Sequence, residues 1–140
     1  MDLATWADPQ GRRSTPFTPP VNSVLALDRA LIELRESGGW TARHARYHRL
    51  AERVASCLAS LGVSPVLPAA ASSCVLRAYE LPAGFDYAAV HDGLKQHGFI
   101  VYAGQGELAQ RLFRISTMGD ISDYDLARLV AALSEVFAHS

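Results

Sequence analysis

The spacing of apolar side chains is helical in the first half of the chain. In residues 21–37 and again in residues 40–61, apolar side chains recur every three or four positions, and arginines occupy the other side of the second segment. This spacing is typical of amphipathic helices. Glycine readily adopts the left-handed conformation in which helices end, and it follows both segments, at Gly38-Gly39 and at Gly62. We therefore predict two consecutive long helices.

The second half of the chain has shorter elements. Strands are predicted where apolar and polar side chains alternate or where β-branched and aromatic residues cluster, over residues 73–80, 99–102 and 111–116. A helix is predicted over residues 87–97, capped by Asp86, and another after Ser122, where Asp125 completes a capping-box pattern. This order predicts an α+β domain, with a short, mainly antiparallel sheet backed by helices and preceded by the two long helices.

The first 20 residues differ from the rest of the chain. Pro16, Pro19 and Pro20 are incompatible with a helix interior, although proline is well tolerated where a helix begins. We expect residues 1–20 to be an extended lead-in and residues 21–140 to form the folded domain.

The composition is that of an ordinary globular chain of 140 residues, about one domain. Its net charge of −1 argues against nucleic-acid binding, because such proteins have a basic excess. No apolar run approaches the ~20 residues that span a bilayer, and residues at the N-terminus do not show the basic-then-apolar pattern of a signal peptide, so we expect a cytoplasmic protein with no membrane partner. Of the 13 basic residues, Lys95 is the only lysine.

Arg114 is the first candidate for chemistry, because it lies within a predicted strand between two apolar residues. Its planar guanidinium could bind a carboxylate or phosphonate through two parallel hydrogen bonds. The alternative is a solvated arginine on the open face of the sheet.

Thr15 and Thr18 are candidates for binding a phosphate, because they lie just before a predicted helix N-terminus. The alternative is that Thr18 only caps or precedes the helix. His44 and His48 are spaced like two metal ligands on one helix face, but no third ligand is evident, so a polar helix surface is the alternative.

Other motifs favour structural roles. The arginines at positions 43, 46, 49 and 53 could attract an anion, but a row of charges on one helix face is usually solvated. Gly104-Gln105-Gly106 follows a strand without opening a helix, which indicates a turn rather than a dinucleotide-binding loop. Cys57 lies beside an apolar stripe and is expected to be packed.

Several segments, taken in order and spacing, resemble the class V pyridoxal-phosphate-dependent aminotransferases: Phe17-Thr18-Pro19-Pro20-Val21, Glu36-Ser37-Gly38-Gly39, Ala42-Arg43-His44-Ala45-Arg46-Tyr47, Gly98-Phe99-Ile100-Val101-Tyr102-Ala103-Gly104 and Phe113-Arg114-Ile115-Ser116-Thr117-Met118-Gly119. Within this class the resemblance is strongest to the 2-aminoethylphosphonate–pyruvate transaminases, which are related to the alanine–glyoxylate and serine–glyoxylate enzymes.

The resemblance implies that the chain is the small C-terminal domain of the aspartate-aminotransferase-like fold, fold type I, and that a large domain precedes it in a homodimeric enzyme. Arg114 would bind the acidic end of the substrate, and Thr18 would contact the phosphate of pyridoxal phosphate. Thr15 stands where alanine–glyoxylate relatives have a tyrosine. No catalytic residue is assigned to this chain, because the Schiff-base lysine belongs to the large domain and Lys95 lies in a polar stretch unlike such a site.

Three readings remain open from the sequence. In the first, the chain is the C-terminal domain of an aminotransferase, and this domain is inactive by itself. The enzyme would be of the 2-aminoethylphosphonate–pyruvate type or of the alanine–glyoxylate or serine–glyoxylate type. The second reading is a non-catalytic relative that acts as a dimerisation or regulatory module. The third and weakest is a metal site at His44 and His48.

The resemblance predicts that the apolar stripe of the first long helix is exposed in this chain, because large apolar patches mark missing partners. We expect self-association or poor solubility, measured by sedimentation velocity over a series of protein concentrations. A clean monomer at high concentration would contradict this expectation.

Overall fold

The structure of the chain, a computed structural model, describes residues 3–138. It consists of two compact units, one that ends at Trp40 and one that begins at Thr41. The helices are α1 (Leu3–Gln10), α2 (Val21–Glu36), α3 (Gly39–Ser60), α4 (Tyr87–Gln96) and α5 (Asp123–Ala138). The strands are β1 (Leu76–Glu80), β2 (Tyr102–Ala103) and β3 (Leu112–Ser116), and two short 3₁₀ helices cover Ala69–Ala71 and Gly106–Gln110.

The helix α1 corrects the expectation of a wholly extended lead-in. Residues 3–7 contain no helix breaker, and Pro9 falls in the last turn of α1, where only the end of the helix loses a hydrogen bond. The Trp6 and Phe17 rings lie 5.9 Å apart between centroids, so the stretch after α1 folds back toward it. The proline-rich residues 14–20 are not helical.

The helix α2 has the predicted bounds within one residue, but none of its residues is buried. Five of its apolar side chains are between 49% and 62% exposed, whereas Ile32 and Leu34 are half-buried: the five are Val21, Val24, Leu25, Leu27 and Leu31. This segment therefore presents the predicted exposed apolar stripe. The stripe is the kind of surface that soluble proteins normally cover with a partner.

The second unit contains the predicted antiparallel sheet, with the strand order β1-β3-β2. β3 is the central strand, and its Arg114 lies opposite Ala78 on β1 and Tyr102 on β2. β2 is shorter and later than predicted because the Phe99 N–H still donates to the Leu94 carbonyl at the end of α4. The chain is therefore not free to pair with β3 until Tyr102.

One face of the sheet packs against α3, α4 and α5 to form the core of the second unit. The fully buried side chains come from all these elements: Leu50, Val54 and Leu58 of α3, Tyr79, Val90, Leu94, Phe113 and Leu133. Truncating one such leucine to alanine typically costs about 2–5 kcal/mol. The burial of Tyr79 also raises the pKa of its phenol.

Two predicted caps are confirmed. Asp86 accepts a hydrogen bond from the Ala89 N–H at 2.8 Å and begins α4. Ser122 and Asp125 bond each other's backbone N–H groups, which is the reciprocal pattern of a capping box. The hydrogen bonds from Ser122 hold the pKa of the Asp125 carboxyl below its ordinary value.

Arg77 is the most buried charged side chain of the sheet. It lies on the core side of β1, and only 8% of its surface is exposed. Its Nη2 lies 2.7 Å from Glu52 Oε1 on α3, and its Nε donates to the Ser73 carbonyl at 2.9 Å. The hydrogen bond from Arg77 is the main reason that the pKa of Glu52 is lowered. This ion pair joins α3 to the edge strand of the sheet.

Replacing Glu52 by Gln should lower the free energy of unfolding by about 1–2 kcal/mol near pH 7, because it leaves the buried guanidinium of Arg77 without its charged partner. A lowered carboxyl pKa stabilises the fold above the ordinary value of 4.5, and this contribution is lost as the pH falls through the lowered pKa. Denaturant unfolding should therefore show the difference between the two chains shrinking in acid.

The matched control is Glu33→Gln, since Glu33 pairs with Arg29 on the surface of α2 with both side chains more than half exposed. This control should change stability by less than about 0.5 kcal/mol. An undiminished effect of Glu52→Gln well below the ordinary carboxyl pKa would contradict the assigned role of the ion pair.

Candidate substrate-anion site

The face of the sheet that points away from the core is the surface on which Arg114 emerges. Side chains alternate along a strand, so the burial of Phe113 and Ile115 in the core directs Arg114 to the opposite face. Its cross-strand neighbours there are Ala78, a single methyl group, and Tyr102. The guanidinium thus stands between a small side chain and a large aromatic one.

Arg114 is partly buried and held by one hydrogen bond. Its Nε donates to the carbonyl of Ala103 at 2.8 Å. Within residues 3–138, no carboxylate forms an ion pair with it. The N–H groups of Nη1 and Nη2 are therefore available to an anion, and a guanidinium presents them in a planar fork that suits carboxylate and phosphonate oxygens.

A depression of about 420 Å³ surrounds Arg114 and is lined mainly by apolar side chains: Val75, Leu76, Ile100, Tyr102, Ser116 and Met118. Tyr102 and Met118 are more than 60% exposed, so they form the rim of the depression rather than its floor. An apolar lining reduces the competition of water for a charged ligand, and this strengthens an arginine–anion contact relative to open solvent.

Hydrogen bonds anchor the wall of the depression near the end of β3. The Ser116 hydroxyl donates to the Val75 carbonyl at 3.0 Å, and the Thr117 hydroxyl donates to the Cys74 carbonyl at 3.1 Å. These bonds tie the segment before β1 to the segment after β3. They support β3 from the β1 side, whereas the Ala103 carbonyl holds the Arg114 side chain from the β2 side.

Thr18 and Arg114 belong to different units of the structure. Thr18 is exposed, and it does not cap α2, because Pro20 is the N-cap residue and no side chain accepts a hydrogen bond there. Thr15 is engaged, since its hydroxyl donates to the Phe17 carbonyl at 2.7 Å. The backbone N–H groups of the first turn of α2 thus lack a side-chain cap, next to a threonine with an exposed side chain.

Two of the four arginines in the row on α3 have structural partners. Arg46 donates to Asp120 at 2.9 Å and to the Ile121 carbonyl at 2.8 Å, and Arg49 pairs with Asp123 at 2.7 Å. These contacts fasten α3 to the beginning of α5. Two members of the row are therefore committed to the fold rather than left for a ligand.

The other residues singled out in the sequence lie outside the depression around Arg114. The His44 and His48 rings are 6.2 Å apart between centroids, and in the part of the chain that the structure describes no three His, Cys, Asp or Glu side chains form a metal-binding group. Cys57 is buried with its Sγ 3.8 Å from the Val130 carbonyl, as predicted. Lys95 is exposed in the last turn of α4. None of the described helices is long and apolar enough to cross a membrane.

Sequence reasoning missed the partners of Arg114. The resemblance predicts the arginine, but the contact with Ala103 depends on the pairing of β2 with β3, which no local pattern reveals. The loop predicted at Gly104-Gln105-Gly106 opens into a 3₁₀ helix, Gly106–Gln110. The available signal was the pair of glycines, since glycine permits close backbone approach.

Comparison with known proteins identifies relatives by sequence and by structure. No family model matches the chain. The 2-aminoethylphosphonate–pyruvate transaminase of Bacillus cytotoxicus is 34% identical over 120 residues, which make up 85% of this chain and 33% of the relative. The protein of the same name from Bacteroides fragilis is 38% identical over the same shares.

A solved structure with the same fold is the ureidoglycine–glyoxylate aminotransferase of Bacillus subtilis, with a TM-score of 0.82 and 25% identity. The match covers 98% of this chain and 36% of that protein. The expected α+β fold, with its short antiparallel sheet, is confirmed by this likeness. The chain spans about a third of the length of the curated relatives that it matches.

Proposed function

We propose that this chain, which corresponds to the C-terminal part of a class V aminotransferase, supplies the site for the acidic group of the substrate. The reaction that we propose for the complete enzyme transfers an amino group from 2-aminoethylphosphonate to pyruvate. The observation on which the proposal rests is the partly buried Arg114 in an apolar depression, without a carboxylate partner among residues 3–138. A cation so placed binds an anion more strongly than a solvated arginine does.

The substrate group that fits this site is a phosphonate or a carboxylate. Both present pairs of oxygens at the spacing of the two Nη atoms, and hydrogen bonds between charged groups contribute about 1.5–3 kcal/mol. A phosphonate keeps a further oxygen for another donor. The names of the relatives favour the phosphonate, and transaminases of the alanine–glyoxylate or serine–glyoxylate type are the alternative within the family.

Pyridoxal phosphate is the cofactor that the family uses, and it supplies the electron sink for transamination when bound. The start of α2 fits its phosphate, since no side chain caps the helix there and Thr18 is exposed just before it; the Val21 and Val24 N–H groups donate to Pro19 and Pro20, which leaves those of Asn22 and Ser23 to an anion. We assign Thr18 this phosphate contact. Lys95 does not fit the covalent attachment, because it is an exposed side chain at the end of α4, and a reactive lysine requires burial or neighbouring charge.

The chain by itself is therefore expected to bind substrate anions without turning them over, and the large domain and a second subunit are the partners that complete the enzyme. A non-catalytic dimerisation or regulatory module is the second candidate function. The exposed apolar stripe of α2 supports this candidate, because it is a surface suited to another protein.

Replacing Arg114 by Lys should weaken the binding of 2-aminoethylphosphonate at least about tenfold, because lysine retains the charge and loses the fork. The measurement is a titration of each purified chain followed by NMR of the backbone N–H groups that line the depression, which both chains retain, with alanine and serine as competing ligand classes. Arg111→Lys is the matched control, since Arg111 is an exposed arginine three residues earlier.

Equal affinity in the Arg114→Lys chain and the unmodified chain would reject the anion site. Stronger binding of alanine or serine than of 2-aminoethylphosphonate would favour the glyoxylate-type alternative. Arg111→Lys should leave all three affinities unchanged, because its side chain lies outside the depression around Arg114.

The chain mixed with pyridoxal phosphate and reduced with borohydride should show no stoichiometric label at Lys95 and no transaminase turnover. The physical reason is that this lysine is exposed and has no side-chain partner among residues 3–138. Mass spectrometry of the reduced chain, with Lys95→Arg as the control for background labelling, makes the measurement. Stoichiometric labelling together with turnover would reject inactivity of the isolated chain.

A further inference from the structure

Beyond the residues that would touch the substrate, the geometry points to Gly104 as the positioning residue of the anion site. We propose that Gly104 fixes the carbonyl of Ala103, and through it the plane of the Arg114 guanidinium, so that an anion is bound end-on by Nη1 and Nη2. The inference rests on the proposed function of Arg114 and assigns the device that orients it.

The orientation follows from the donors of the guanidinium. An arginine has two edges that can hold a pair of oxygens, one formed by Nε and a neighbouring Nη, the other by Nη1 and Nη2. The Ala103 carbonyl occupies the Nε hydrogen at 2.8 Å. A ligand therefore cannot accept two hydrogen bonds from the edge that contains Nε. Only the end-on edge, formed by Nη1 and Nη2, can donate two hydrogen bonds to an anion.

The position of the Ala103 carbonyl depends on a very short strand. β2 consists of only two residues, which pair with Arg114 and Phe113 of β3. The pairing continues for one more hydrogen bond, in which the Gly104 N–H donates to the Leu112 carbonyl at 2.9 Å. Gly104 therefore ends the ladder that fixes Ala103 against the central strand.

Gly104 is also the point where the following 3₁₀ helix folds back onto β2. A Cβ at this position would overlap the Leu108 carbonyl oxygen and would lie 2.7 Å from the Leu108 carbonyl carbon and 2.8 Å from Leu112 Cδ1. The first two contacts are with backbone, which cannot move aside as a side chain can. A side chain at residue 104 must therefore displace either the 3₁₀ helix or β2, and with β2 the Ala103 carbonyl.

Gly106 offers a matched control in the same loop. It has a φ of +56°, which favours glycine, but a Cβ there would meet nothing within 4 Å. Gly106→Ala should lower stability through backbone strain alone. This variant therefore shows the effect of lower stability in this loop without displacement of the Ala103 carbonyl.

The experiment compares Gly104→Ala, Gly106→Ala and the unmodified chain by NMR of the Arg114 Nε–H, assigned from its absence in Arg114→Lys. In the unmodified chain this proton should exchange slowly with water, and added 2-aminoethylphosphonate should shift the Nη resonances while leaving the Nε–H protected. Gly104→Ala should exchange the Nε–H at least about tenfold faster and weaken binding by a similar factor. Gly106→Ala should do neither.

The possible results separate the two proposals. Slow Nε–H exchange and unchanged affinity in folded Gly104→Ala would overturn the positioning role and leave the anion site intact. A protected Nε–H in a chain that binds no 2-aminoethylphosphonate would reject the proposed function but not the contact with Ala103. If Gly104→Ala does not fold, the unmodified chain decides, since an unprotected Nε–H or its displacement by the bound ligand overturns the inference.

Discussion

The alternation of side chains along β3 is the constraint on which the second unit depends. Phe113 and Ile115 must face the helices because they complete the core, and this requirement directs Arg114 to the other face of the sheet. A shift of the register by one residue would bury the guanidinium without a partner and expose Phe113. The stability of the core therefore also determines where the candidate site lies.

The two arginines of the sheet show how position decides the role of the same side chain. Arg77 emerges on the core side of β1 and is neutralised by Glu52, so it joins a helix to the sheet. Arg114 emerges on the open side of the neighbouring strand, and its one hydrogen bond goes to a neutral carbonyl. The first charge is used inside the fold, whereas the second remains able to attract an anion from outside.

The first unit has a different balance of surfaces. α2 is well formed and has its predicted bounds, yet no residue in it is buried. A helix with an exposed apolar stripe gains little of the tertiary packing that stabilises most helices. This is consistent with a chain that matches about a third of the length of its curated relatives and that we propose to work together with a large domain.

The sequence by itself determined the helices, their caps and the strand that contains Arg114, because these depend on periodicity and on side chains a few residues apart. Asp86 and the Ser122–Asp125 pair cap their helices as predicted for that reason. The residue pattern also carried the family resemblance, and with it the proposal that Arg114 binds the substrate. The sequence does not predict the helical α1, because the prolines at residues 16, 19 and 20 indicate an extended lead-in and residues 3–10 are too short to show a helical repeat.

Only the tertiary structure decided what surrounds Arg114. The late start of β2 follows from the hydrogen bond that still holds Phe99 to α4, and the contact with Ala103 follows from the pairing of β2 with the central strand. The need for glycine at residue 104 likewise comes from a backbone four residues ahead that folds back on it. Such contacts join segments whose approach is set by packing and pairing, and no local pattern of apolar and polar residues encodes them.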